Sequence, residues 1–186
     1  MNIKKEFIKD FPILKGNKKN PYIILFDAYT GMGKSTVAKV ISKKDSSVIL
    51  NNDEVKVWLN NHNRTNIDKQ ELQNYRLELL LKNNNSCICD SCFCHNWKEK
   101  IKYFDNLKVK YYIIRLICSE DVIKERLNIR NKLNNDYSKG TYKDYLWMKE
   151  NVELVDDKLI NYIVNTEKNI ENQINEFIKK YSLDNK

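Results

Sequence analysis

The chain is poor in residues that interrupt regular structure: four glycines and two prolines among 186 residues. That scarcity excludes long flexible linkers and low-complexity segments. No internal repeat is visible, which excludes a solenoid or propeller. No apolar run approaches the roughly 18 residues of a membrane-spanning helix. The charged N-terminus lacks an apolar core of signal-peptide length, so a cytoplasmic protein is expected. What remains is globular in composition, with 41% apolar and 31% charged residues. A chain of this length fits one domain that buries roughly 70% of its unfolded surface. The formal net charge of +8 attracts polyanions. Its lysines are spread along the chain, however, and a lysine-rich solvated surface accounts for them equally well.

The most informative stretch is Ala28-Tyr29-Thr30-Gly31-Met32-Gly33-Lys34-Ser35-Thr36. An apolar run, Tyr22-Ile23-Ile24-Leu25-Phe26, precedes it, and Val37-Ala38-Lys39-Val40-Ile41 follows. The order strand, glycine-containing loop, helix is the context of a phosphate-binding P-loop. In such a loop the backbone N–H groups of Thr30 to Thr36 face phosphate oxygens, and the helix adds its positive end. Lys34 would neutralise the β- and γ-phosphates of ATP, and Ser35 would ligate Mg²⁺. Ala28 stands where the pattern G-x-x-x-x-G-K-[S/T] has its first glycine. The loop accommodates it if residue 28 keeps a negative φ.

Strand and helix patterns alternate along the rest of the chain. Residues 1–20 read as a helix or arm pinned by Phe7 and Phe11. Ser47–Leu50 is a short second strand and Ser86–Cys89 a third. Tyr111–Ile117 is a fourth strand, buried on both faces, and Asn161–Val164 a fifth. Helices are expected at 53–61 and 68–82, the latter with Leu72, Tyr75, Leu79 and Leu80 on one face. Further helices lie around Trp97–Leu107, from Ser119 to Arg130, and at 142–151. Residues 167–181 form a C-terminal helix with Ile170, Ile174, Phe177, Ile178 and Tyr181 on one side. This predicts a single α/β domain over 1–186, a doubly wound sandwich with a five-stranded parallel sheet and a small lid at 126–140.

Three further groups carry chemistry. Asp53 ends the second strand, across the crevice from the P-loop, where a carboxylate can take a proton from an attacking hydroxyl. The same residue also suits a helix N-cap. Lys56, one turn on, suits an anionic group of a substrate. Asp90 ends the third strand, where a carboxylate can hold Mg²⁺, or cap a turn. Arg126 and Arg130 lie i,i+4 on one helix and either spread over transferring phosphates or form an exposed basic stripe.

The cysteines fall as Cys87, Cys89, Cys92 and Cys94, followed by His95. Zinc sites use C-x-x-C pairs on tight turns, and only Cys89 and Cys92 have that spacing. Convergence of all four on one ion would break the third strand. They are read as reduced, buried thiols, and Cys118 as another at a strand end.

Together these motifs resemble the P-loop kinase family that includes the phage-type polynucleotide kinase domain, often described as AAA-type ATP-binding kinases. The resemblance rests on Met32-Gly33-Lys34-Ser35-Thr36, Asn51-Asn52-Asp53-Glu54-Val55-Lys56, Ile88-Cys89-Asp90-Ser91 and Arg126-Leu127-Asn128-Ile129-Arg130. It covers roughly residues 21–165. It implies an ATP- and Mg²⁺-dependent kinase, with Asp53 as general base, Lys56 near the substrate phosphate and Arg126 and Arg130 as lid arginines. The preferred acceptor is a polynucleotide 5′-hydroxyl. A nucleoside, sugar or antibiotic is the alternative, and zeta-toxin-like kinases share the layout. Lys56 and Lys98 stand where polynucleotide kinases tend to carry arginine. A candidate base and a candidate lid separate the chain from a module that binds ATP without transferring phosphate.

Overall fold

The computed structural model describes residues 2–132 and 140–183. Its centre is β1 (Tyr22–Asp27), six residues that are all buried. A strand buried on both faces needs helices on both sides of its sheet. β1 pairs in parallel with β3 (Cys87–Asp90) and with β4 (Lys110–Ile117). β2 (Val48–Asn51) extends the sheet beyond β3, and β5 (Tyr162–Asn165) extends it beyond β4. The sheet has five parallel strands in the order β2-β3-β1-β4-β5. This is the doubly wound P-loop NTPase sandwich expected from the alternating patterns.

Alternate residues of β1 feed two cores. Ile24 and Phe26 face α2 (Lys34–Asp45) and α8 (Ile170–Tyr181), meeting Val37, Ile41, Ile174 and Phe177. Ile23 and Leu25 face α4 (Lys69–Lys82) and α5 (Trp97–Asn106), meeting Leu77, Leu80 and Phe104. The period of two along the strand therefore produces the two helical layers. α1 (Ile3–Asp10) docks Phe7 against Trp58 and Leu72, and the Phe11 ring packs at a tilt against Phe7, with centroids 4.7 Å apart. Trp58 belongs to α3 (Asn52–Asn61). α6 (Glu120–Lys132) and α7 (Tyr142–Asn151) pack through Ile123, Leu127 and Tyr145 against Tyr29 of the loop. Residues 133–139 of the expected lid lie outside the described residues.

Two expectations need correction. α4 buries Leu72, Gln73, Arg76, Leu77 and Leu80, whereas Tyr75 and Leu79 are only half-buried. The helix turns so that Leu77 and Leu80 meet the sheet, and the same rotation carries Gln73 and Arg76 inward. β4 is not uniformly buried: Arg115 is half-buried and Ile117 is 42% exposed at the strand's end. Arg115 is there to meet Asp27, described below.

Candidate active site

The loop between β1 and α2 turns on two glycines. Gly31 has φ +79° and Gly33 has φ +93°, conformations that L side chains rarely adopt. A Cβ at Gly31 would also lie 2.9 Å from Ile123 and Leu127, so α6 presses directly on the loop. Ala28 is fully buried and is not in the positive-φ region, so its methyl joins the core without strain. The missing first glycine therefore leaves the loop's path intact. The Lys34 ammonium donates to the Tyr29 carbonyl at 2.7 Å, which draws it back across the loop. The Tyr29 hydroxyl in turn donates to the Val152 carbonyl at 2.9 Å.

In front of this loop lies a cavity of about 1050 Å³. Thr30, Gly31 and Gly33 form one wall, with Lys34, Ser35 and Thr36 at the start of α2. Asp53 and Asp90 line the same cavity from the ends of β2 and β3. These strands sit side by side, with Asn51 opposite Asp90 in the register, so the sheet itself brings the two carboxylates together. Asn51 caps α3 by accepting the Asp53 N–H at 2.8 Å. Asp53 is thus a first-turn residue and not the N-cap, and its carboxylate takes no part in capping.

Asp90 and Ser35 line the same cavity wall, with the Ser35 hydroxyl close enough to influence the Asp90 carboxyl. Burial pushes its carboxyl above the usual carboxylate range, and Ser35 and the Lys34 charge pull it back. A hydroxyl and a carboxylate on the wall of one cavity are hard oxygen donors suited to Mg²⁺. Among the described residues, no group of three His, Cys, Asp or Glu side chains converges as a metal site. Cys87 and Cys89 pack in the α4–α5 core, while Cys94 and Cys92 pack in the cluster under α6 and α7. The four sulfurs are thus divided between two cores. Burial raises the Cys89 thiol to about 12 and that of Cys94 to about 11, so neither is a thiolate at neutral pH.

The remaining sequence candidates divide. Arg130 lines the cavity. Arg126 does not: its guanidinium donates to the Thr166 hydroxyl at 2.9 Å and to the Thr166 carbonyl at 2.8 Å. That places it on the β5 side of the loop, 3.6 Å from where a Cβ of Gly33 would stand. Met32 packs against two apolar clusters and is not part of the cavity wall. Lys56 is exposed and is not a lining residue, because only the first turn of α3, with Asn52, Asp53 and Glu54, borders the cavity and Lys56 lies a turn further along the helix. Besides Lys34, the lysines that do line the cavity are Lys39, Lys69 and Lys100. Lys98 pairs with Glu153 at 3.1 Å, outside the cavity.

Several site features had weak sequence signals. Asp27 ends the buried strand next to the loop, fully buried, and pairs with Arg115 at 2.6 Å. Its other oxygen accepts the Val155 N–H at 3.2 Å, and Arg115 also reaches Asp157 and the Val155 carbonyl. A charge closing an apolar run was the visible sign of this pair. Lys100 donates to the Cys92 carbonyl at 2.9 Å, and burial lowers its pKa. Trp147, 55% exposed, stands on the cavity wall with His95. Gln73 is 4% exposed, and neither of its amide atoms has a hydrogen-bond partner. Such a group costs about 1–3 kcal/mol per buried unsatisfied atom.

Comparison with known proteins agrees with this architecture. The fold is similar to that of Mycobacterium tuberculosis APS kinase in complex with AMPPNP and APS, at 14% identity over 88% of this chain and 98% of that chain, with a TM-score of 0.57. A putative kinase from Chloroflexus aurantiacus is similar at 13% identity over 91% of this chain and 100% of that one, TM-score 0.60. A fungal RNA kinase is similar at 13% identity over 88% of this chain and 86% of that one, TM-score 0.54. No curated protein sequence matches at a significant level. No helix among the described residues is long and apolar enough to cross a membrane. The model of an AAA domain family, AAA_33, matches residues 24–155, well over half of the sequence, and the chain therefore belongs to that family of P-loop domains.

Proposed function

We propose that the chain is an ATP-dependent phosphotransferase that moves the γ-phosphoryl group to a hydroxyl, with a polynucleotide 5′-hydroxyl as the preferred acceptor. The observation that carries this reading is the meeting of Lys34, Ser35, Asp53 and Asp90 on one cavity. A module that only binds nucleotide has no use for a second carboxylate facing the P-loop. The loop from Thr30 to Thr36 would cradle the phosphates of ATP. Ser35 and Asp90 would hold Mg²⁺, which when bound neutralises phosphate charge. Asp53 orients the acceptor hydroxyl and receives its proton as the new O–P bond forms and the bond to the ADP oxygen breaks. Lys34 and Arg130 stabilise the charge on the transferring group, and Arg126 adds positive charge from beside Gly33.

Lys39 and Lys69 on the cavity wall suit an acceptor with a phosphodiester backbone, with Lys56 as part of the outer positive surround. The fold of a fungal RNA kinase is among those similar to this one. A small hydroxylated acceptor is a second reading, favoured by a side pocket of only about 230 Å³ that adjoins the main cavity. Both readings include a cytoplasmic location and reduced cysteines. The test is incubation with γ-labelled ATP and Mg²⁺ against 5′-hydroxyl oligonucleotides, nucleosides, sugars and sugar nucleotides. Label in the oligonucleotide is the expected result. Label in no hydroxyl acceptor would defeat the phosphotransferase reading.

A further inference from the structure

The end of the sheet opposite the P-loop borders a separate cavity of about 600 Å³. Tyr22 and Lys110 stand side by side in the register at the amino ends of β1 and β4, and both line it. The P-loop follows the other end of β1, so a strand of six residues, about 20 Å long, lies between this cavity and the phosphate cavity. Lys18 is the fixed cation of the lining. It is 6% exposed, and its ammonium donates to the Leu183 carbonyl at 2.9 Å. An ammonium has three donors, so two of them find no acceptor among the described residues. Lys19 and Lys110 line the cavity from exposed positions. None of the three lysines joins an ion pair among the described residues. Rings stand where carboxylates would: Lys18 lies over Tyr22 at 5.7 Å and Lys110 over Tyr112 at 5.1 Å. An aromatic face positions a cation without cancelling its charge.

Tyr112 supplies an independent observation. It is only 2% exposed, yet its hydroxyl makes no hydrogen bond with a described residue and is not among the side-chain atoms closed off from solvent. Tyr112 lines the cavity, so that hydroxyl remains as a donor toward it. The two other tyrosine hydroxyls of the lining are engaged, that of Tyr22 with Asp45 and that of Tyr181 with the Asn161 carbonyl. No acidic residue lines the cavity among the described residues. These features define the chemistry of the occupant. Three uncompensated cations and a spare hydroxyl donor match an anion with several acceptor oxygens and more than one charge. A carboxylate offers two oxygens and a single charge. A phosphate group offers three acceptor oxygens and a charge near −2. The volume is that of a small-ligand pocket and leaves room for more than one phosphate.

We propose that this cavity is a second phosphate-binding site, separate from the P-loop, for a ligand with two or more linked phosphates. Lys18 and Tyr112 hold the innermost phosphate, and Lys19 and Lys110 meet the next. The phosphates come either from a free oligophosphate or from a polynucleotide backbone. The assignment does not depend on the phosphotransferase reading.

The P-loop also suits phosphates, so the test separates the two sites by substitution. Inorganic tripolyphosphate is titrated calorimetrically, without ATP, into wild type and into Lys34→Ala. The titration is repeated with Lys110→Ala or Tyr112→Phe added to Lys34→Ala. Lys110 is exposed and Tyr112→Phe keeps the buried ring, so these variants should fold. Wild type should bind at two sites, and Lys34→Ala should retain one of them. The retained site should weaken about tenfold with Lys110→Ala and about threefold with Tyr112→Phe, as a charged and a neutral hydrogen bond are lost. Loss with these two substitutions but none with Lys34→Ala would uphold the new site while the P-loop reading falls. Binding that Lys34→Ala abolishes, or that Lys110→Ala and Tyr112→Phe leave unchanged, would overturn the assignment and leave the P-loop reading standing. A single-stranded oligonucleotide titrated into the same series identifies the source. Weakening by Lys110→Ala for the oligonucleotide as well points to a polynucleotide backbone, and weakening for tripolyphosphate alone points to a free oligophosphate.

Discussion

The P-loop side and the acceptor side of the cavity differ in what holds their shape. On the first, two left-handed glycines and the start of α2 fix a run of backbone N–H groups, and α6 presses on Gly31 through Ile123 and Leu127. On the second, side chains from α3, α4, α5 and α7 converge from distant parts of the sequence. A backbone cradle recognises phosphate, which is common to many substrates. A wall of side chains recognises whatever is attached to the hydroxyl. The difference explains how one fold holds ATP in a constant manner while its acceptors vary.

The contrast can be broken in several places. Lys34→Ala strikes the constant side and should have the largest effect. Transfer should fall by about 10³-fold, together with weaker ATP binding. Equilibrium titration with an ATP analogue and a transfer assay check this, and unchanged affinity with unchanged turnover would remove the P-loop reading. Asp27→Ala leaves Arg115 without its buried partner behind the loop. It should cost about 1–3 kcal/mol of stability, read from urea unfolding, since the Arg115 Nε–H and the Val155 N–H both lose their buried acceptor while Arg115 keeps Asp157. Gly31→Ala combines a positive φ with a Cβ 2.9 Å from Ile123 and Leu127. It should cost about 1–3 kcal/mol and weaken ATP binding, measured by the same two methods. On the variable side, Lys69→Ala should raise the KM of a polynucleotide acceptor by about threefold, and more at low salt, whereas Lys56→Ala should do less. Equal effects from the two lysines would return Lys56 to the acceptor wall.

The same contrast governs what the sequence disclosed. The P-loop was legible because its chemistry is local: nine consecutive residues carry the glycines, the lysine and the hydroxyl. Asp53 and Asp90 were legible because parallel strands end on one edge, and a carboxylate at that edge faces the loop. The order of the strands was not readable from their spacing, and neither was the pairing of Asp27 with Arg115, 88 residues apart. The orientation of α4 escaped because its apolar residues fit two overlapping faces. The true face includes Gln73 and Arg76, which pattern reasoning assigns to solvent. Lys56 was misplaced for a related reason, since spacing along α3 does not say which turn of the helix meets the cavity. Arg126 is turned aside by Thr166, a contact 40 residues distant.

The account turns on a division of labour within the cavity, in which Asp53 serves the acceptor hydroxyl and leaves ATP to the loop. The direct measurement is Asp53→Asn, with ATP-analogue affinity and γ-phosphate transfer determined on the same preparation. The account predicts affinity within about twofold of wild type and transfer reduced by about 10²–10⁴-fold, the usual range for loss of a general base. Full transfer in Asp53→Asn, or affinity that falls in step with transfer, would contradict it.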